Sequence, residues 1–201
     1  MNPSICAFTI FFDFSRFLPI SRRGYRHPNL KTGGFSRSRF GHVMIALTDP
    51  FGNERFYGYT AKQQVAGRNN VPPEDRISLR DLNRPVAAQL NDESHRSYAR
   101  AIRFSLTEEQ WRRMNAFVMS WINRQPKYQV KTNSCVHFVR DVARAGDIAL
   151  LPKGAKTPVT PGKLLKAIRK RQREVFEASE RNRIRMIGAL ERKDKPFPPA
   201  P

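Results

Sequence analysis

Apolar residues recur along this chain with two different periods. Ile5 to Phe12 is a nearly continuous run of β-formers, which predicts a buried strand. Val43 to Leu47 is a second short apolar run. Thr48 to Asn53 holds the turn pairs Asp49-Pro50 and Gly52-Asn53, and Arg55 to Tyr59 is aromatic and strand-like, so the three segments predict a β-hairpin. Ala99 to Leu106 reads as a further strand. The period then changes. Trp111, Met114, Phe117, Val118 and Trp121 recur every three or four residues behind Thr107, an N-cap residue. Glu108, Glu109 and Gln110 fill the first turn, where the positive end of the helix dipole favours acids. A second helix is predicted from Ser134 or Cys135, carrying Val136, Val139, Val142 and Ala143 and stopping at Gly146.

The segments between are polar or broken. Ser21 to Arg39 is basic and glycine-containing and reads as a loop, as does most of 61–95, with Pro72, Pro73 and Pro85. Tyr128 to Lys131 reads as a short extended piece, and Lys153 to Gly162 as a linker. Residues 163–192 form a charged helical stretch with one apolar patch, Leu164, Leu165 and Ile168, and a thinner set that includes Val175 and Phe176. The expected architecture is an α+β domain over 1–160, its antiparallel sheet packed on helices, followed by a basic helical extension and Pro-rich tail over 161–201.

Composition narrows the classes. With 201 residues, 39% hydrophobic and 27% charged, the chain has material for a real core, which excludes global disorder. Its formal net charge of +20 attracts polyanions: nucleic acid, anionic lipid or an acidic partner. No apolar run approaches the ~20 residues of a spanning helix. The N-terminal apolar stretch lacks a basic leader region and is interrupted by Asp13, so it reads as a strand rather than a signal peptide. Synthesis in the cytoplasm and secretion by a leaderless route are the matching expectations. Two cysteines, Cys6 and Cys135, make neither a zinc framework nor a disulfide scaffold; a single bridge between them is open, and two reduced thiols are expected. The four histidines lack metal-ligand spacing, so neither a metal nor a cofactor is expected.

The sharpest local feature is Thr132-Asn133-Ser134-Cys135-Val136-His137-Phe138-Val139. A cysteine in the first turn of a helix sits among unpaired N–H groups that favour the thiolate, the nucleophilic form, and that also suit a developing oxyanion. His42, directly after Gly41 at the start of the hairpin, is the candidate proton partner, because a strand end holds an imidazole rigidly with one nitrogen free. His137 lies about 200° around the helix from Cys135 and is expected to pack or cap instead. His27 and His95 have nothing distinctive around them. A hairpin turning near Phe51 brings Tyr59 and Thr60 across from His42, with Tyr57 two residues along, so Tyr59, Thr60 and Tyr57 are the candidates to orient the ring, Tyr59 leading. No Asp or Glu is well placed for that role, Glu54 being too close to the turn, so a polar, uncharged third residue is expected.

Phe40-Gly41-His42-Val43-Met44-Ile45-Ala46-Leu47, followed by Arg55-Phe56-Tyr57-Gly58-Tyr59, resembles the histidine hairpin of permuted papain-like cysteine hydrolases. Asn133-Ser134-Cys135 with Phe138, Val139, Asp141 and Val142 resembles their nucleophile helix, although Ser134 separates the Asn from the Cys. The order His before Cys matches the circularly permuted branch of the NlpC-type superfamily, which includes lecithin retinol acyltransferase-like enzymes and bacterial secretion effectors. The resemblance spans roughly residues 35–165. It implies the permuted papain-like fold, attack on a carbonyl through an acyl-enzyme, Cys135 as nucleophile and His42 as base. It also implies an amidase or peptidase acting on peptidoglycan stem peptides or another amide, such as an antibacterial type VI effector with a cognate immunity protein or secretion component as partner. A lipid-directed acyl hydrolase or acyltransferase is the alternative within the same fold. Arg22-Arg23-Gly24-Tyr25-Arg26 and Arg37-Ser38-Arg39-Phe40 interleave cations with aromatics and keep a non-catalytic nucleic-acid binder in view.

Overall fold

The computed structural model describes residues 6–13, 41–62, 64–65, 76–77, 81–94, 98, 100–124 and 126–193. The basic segment 21–39 and the Pro-rich tail lie outside them. The described chain is α+β. Its strands are β1 (Cys6–Asp13), β2 (His42–Thr48), β3 (Glu54–Ala61), β4 (Gln64–Val65), β5 (Arg76–Ile77), β6 (Ala88–Asn91) and β7 (Arg100–Leu106). Three helices follow: α1 (Glu108–Arg124), α2 (Cys135–Ala145) and α3 (Pro161–Lys193). A five-stranded antiparallel sheet runs in the order β6-β3-β2-β1-β7, and β4 and β5 form a small parallel pair.

β1 and β2 are central strands, which explains why they read as unbroken apolar runs: both of their faces are covered. Strand alternation sends Phe8, Ile10, Phe12, Val43, Ile45, Leu47 and Tyr59 to the helical face, where they pack with Met114, Val118, Trp121, Phe138 and Val142. Phe11, Met44, Ala46 and Phe56 point to the opposite face and pack around Tyr98. The predicted hairpin is present as β2 and β3, with Thr48 paired to Glu54 and Ile45 to Tyr57. Its turn is held by Asp49, whose carboxylate accepts from the backbone N–H groups of Phe51 and Asn53.

α1 begins with a reciprocal cap. The Gln110 N–H donates to Thr107 Oγ1 at 3.2 Å, and the Thr107 N–H to Gln110 Oε1 at 3.0 Å. α3 starts inside the core, since Leu164, Leu165 and Ile168 are buried in the same cluster as the sheet; farther along, Val175 and Phe176 are exposed. The segment read as mostly loop also contains β6, an edge strand whose pairing with β3 aligns Gly58 with Asn91. It is only four residues long, and its alternation of Ala88 and Leu90 with Gln89 and Asn91 is too short to stand out from the polar, proline-containing sequence around it. Among the described residues, no helix is long and apolar enough to cross a membrane.

Candidate active site

His42 opens β2 behind Gly41, whose φ of 75° lies in the left-handed region that favours glycine. The imidazole is buried, and its Nε2 lies 2.8 Å from Glu93 Oε2. Glu93 is completely buried and follows β6 closely; the Tyr98 hydroxyl donates to the same Oε2 at 2.7 Å. The carboxylate reaches His42 by crossing β3 at Gly58. A Cβ on Gly58 would overlap the Glu93 carboxyl group, so the strand carries a glycine where the acid passes. Burial opposes a charged imidazole here. The charge of Glu93, the hydrogen bonds with Cys135 and Glu93 and the charge of Cys135 together outweigh it, and His42 is pushed up to about 10.

Cys135 is the first residue of α2, buried at the helix N-terminus. With Nε2 engaged by Glu93, Nδ1 is the ring nitrogen left to face the sulfur. Burial works against a thiolate. The hydrogen bond and the charge of His42, the Val43 backbone N–H and the Tyr128 hydroxyl act the other way and hold the thiol below its ordinary range. Tyr128 also hydrogen-bonds with the Cys135 main chain; burial, followed by the neighbouring sulfur, pushes its phenol up, so it remains an O–H donor. Cys135, His42, Glu93 and Tyr98 thus form one buried chain in which each proton has a partner. The Cys135 N–H donates to the Tyr128 oxygen and the Tyr128 O–H reaches the sulfur, so two donors of the kind that stabilise an oxyanion lie beside it. The expectation of two reduced thiols matches the free Cys6 and Cys135; no bridge joins them.

The residues expected to orient the imidazole are elsewhere. Tyr59 and Tyr57 belong to the helical face of β3, with Val43 and Ile45, whereas His42 has the parity of Met44 and Ala46. Tyr59 instead donates its hydroxyl to the Pro126 carbonyl at 2.6 Å and accepts from Asn133 Nδ2 at 3.1 Å. Thr60 shares the parity of His42, but its Oγ1 accepts from Asn91 Nδ2. The acid that does hold the ring comes from outside the hairpin. One sequence feature pointed to it: an isolated glycine within the strand Arg55 to Tyr59, which marks a close approach by another part of the chain.

His137 caps its own helix. Its Nδ1 accepts the Ser134 N–H at 3.3 Å and lies 2.9 Å from Ser134 Oγ. Burial, then the nearby Arg140, lowers its pKa against a smaller opposing effect of Asp141, so the neutral ring that this cap needs is favoured. Among the described residues, no group of His, Cys, Asp or Glu is placed to hold a metal ion. Comparison with protein-family models, with curated proteins and with solved structures finds no match to the chain.

Proposed function

We propose that this protein is a cysteine-dependent hydrolase of the permuted papain-like type that cleaves amides through an acyl-enzyme. The observation that carries the proposal is the meeting of a helix-start cysteine, a strand-end histidine and a buried glutamate, from positions 135, 42 and 93, in one hydrogen-bonded chain. A structural cysteine needs no acidified thiol, and a structural histidine needs no buried carboxylate to keep it charged.

In this mechanism the Cys135 thiolate attacks the carbonyl carbon, and the Cys135 N–H and Tyr128 hydroxyl take up the charge on oxygen. His42, as imidazolium, gives its proton to the leaving nitrogen as the C–N bond breaks, leaving a thioester on Cys135. Water then attacks the thioester while His42 accepts its proton. The C–S bond breaks, the acid leaves, and the thiolate–imidazolium pair is restored. Glu93 holds the ring by Nε2 and stabilises its charged form throughout.

The substrate class that best suits a +20 protein with this chemistry is a peptide amide of the anionic bacterial cell wall, cleaved by an antibacterial secretion effector. A lipid-directed acyl hydrolase is the second reading, favoured by the exposed Val175 and Phe176 on the basic helix α3. Expression of wild type and Cys135→Ala in the periplasm and, separately, in the cytoplasm of a bacterium tests both. Lysis from the periplasm alone, abolished by Cys135→Ala and accompanied by cut stem peptides, is the expected result. Released fatty acids in place of peptides would select the lipid reading. Equal lysis by the variant would remove the cysteine mechanism.

A further inference from the structure

The turn between α1 and α2 carries Tyr128 and leads directly into Cys135, and it is fastened at two places. On one side its main chain pairs with 82–86: the Tyr128 N–H donates to the Val86 carbonyl at 2.8 Å, the Val86 N–H to the Tyr128 carbonyl at 2.9 Å, and the Val130 N–H to the Leu82 carbonyl at 2.9 Å. On the other side a side-chain clamp closes the turn on itself. The Asn133 amide Nδ2 donates to the Lys127 carbonyl at 2.6 Å and to the Tyr59 hydroxyl at 3.1 Å, and that hydroxyl donates to the Pro126 carbonyl at 2.6 Å. Tyr59 belongs to β3 and is fixed by its ring, which lies 5.4 Å from Trp121, 5.4 Å from Tyr128 and 5.8 Å from Phe138. Its phenol is therefore a rigid post rising from the sheet, and both ends of the turn are tied to it.

We propose that Tyr59, with Asn133, is a positioning residue for the cysteine site: the clamp sets where the Tyr128 hydroxyl sits against the Cys135 sulfur. This rests on the reading of Cys135 as the reactive sulfur. Tyr59 touches neither the sulfur nor the imidazole and acts through Tyr128. The packing contact of the two rings and the hydrogen bonds to Pro126 and Asn133 are separable, because Tyr59→Phe keeps the first and removes the second. Loss of the hydroxyl leaves the Pro126 carbonyl without that donor and Asn133 with one acceptor fewer, and frees the turn to shift by the small distances over which a hydrogen bond to sulfur fails.

The test compares wild type, Tyr59→Phe, Tyr128→Phe and the double variant in two measurements. The first is the rate of Cys135 alkylation by iodoacetamide from pH 5 to 9. The second is amide hydrogen exchange over 126–133. Tyr59→Phe is expected to speed exchange in the turn, to slow Cys135 alkylation at pH 7 by about five-fold, the size of one lost hydrogen bond, and to move the labelling midpoint to higher pH. In the Tyr128→Phe background it is expected to add nothing to the alkylation defect. Unchanged exchange in Tyr59→Phe overturns the clamp whatever the sulfur does. An alkylation defect that persists undiminished in the Tyr128→Phe background overturns the route through Tyr128. Slow wild-type labelling of Cys135, no faster than Cys6, would strike the function proposal instead, while exchange still decides the clamp.

Discussion

At the scale of single residues, the site is a problem in keeping charge buried. Glu93 and His42 are both almost inaccessible, and neither would remain ionised alone. Together they do, and the cost of burying the carboxylate is offset by the imidazolium and the Tyr98 hydroxyl. Glu93→Gln keeps the shape and removes the charge. Burial then dominates, the His42 pKa falls from about 10, and Cys135 loses the cation that holds its proton off. In the proposed mechanism the competent pair is thiolate with imidazolium. Its lower pH limit is therefore the depressed Cys135 pKa and its upper limit the raised His42 pKa. Wild-type activity is expected to form a plateau that falls as pH rises through about 10. Glu93→Gln is expected to narrow the plateau from both sides and to lower kcat/KM by about ten- to hundred-fold, the range for a lost charged hydrogen bond. A pH profile of the variant that overlays the wild type would remove Glu93 from the mechanism. Gly58→Ala attacks the same link sterically, because the new methyl group occupies the path of the Glu93 side chain. It should cost about 1–3 kcal/mol of stability, seen in urea unfolding, and slow Cys135 alkylation as the carboxylate is displaced.

At the scale of elements, the hairpin, the β1 strand and the first two helices were legible because each rests on a local signal. Those signals are an apolar run, a turn pair, a three- and four-residue period behind Thr107, and a stop at Gly146. Cys135 and His42 were legible for the same reason, since a helix start and a strand end are local features. Glu93 was not. It reaches His42 only because β6 pairs with β3, and that pairing is a long-range event of a short, half-buried edge strand. Tyr59 misses His42 by parity: it lies across the hairpin but one residue out of phase, on the other face of the sheet. The start of α2 carries its own prediction. Ser134-x-x-His137 is a capping box in which a histidine replaces the usual Glu or Gln, and its Nδ1 must stay unprotonated to accept the Ser134 N–H. With the folded pKa lowered, the unfolded chain binds the proton first. The cap's contribution is present above about pH 6.5 and is lost as pH falls toward the lower folded value. His137→Gln keeps an acceptor and removes the titration. Its urea midpoint should match the wild type at pH 7.5 and exceed it at pH 5.5; parallel losses in both proteins would show that the cap is not the acid-sensitive element.

At the scale of the whole molecule, two kinds of force act on the same surface. The +20 charge draws the protein to any polyanion and weakens with salt, whereas apolar side chains contribute a part that salt does not screen. α3 is where the two meet. Its first turns are anchored by Leu164, Leu165 and Ile168, and the same helix then presents Val175 and Phe176 to solvent among Lys166, Arg169, Lys170, Arg171 and Arg173. On the lipid-directed reading this helix would lie on an anionic bilayer, its cations at the headgroups and its apolar pair beneath them. Because both side chains are already exposed, Val175→Asp with Phe176→Asp removes no core contact and should leave the unfolding midpoint unchanged. Sedimentation with phosphatidylglycerol vesicles is expected to show strong binding at low salt, a residue of binding at high salt, and a loss of about ten-fold or more in the double variant, as expected for withdrawing two partly inserted apolar side chains. If the variant binds as tightly as wild type and high salt abolishes binding in both, attraction is electrostatic alone. The lipid-directed reading then loses the observation that favours it, and the peptide amide remains the proposed substrate class, to be tested by the stem peptides released on periplasmic expression.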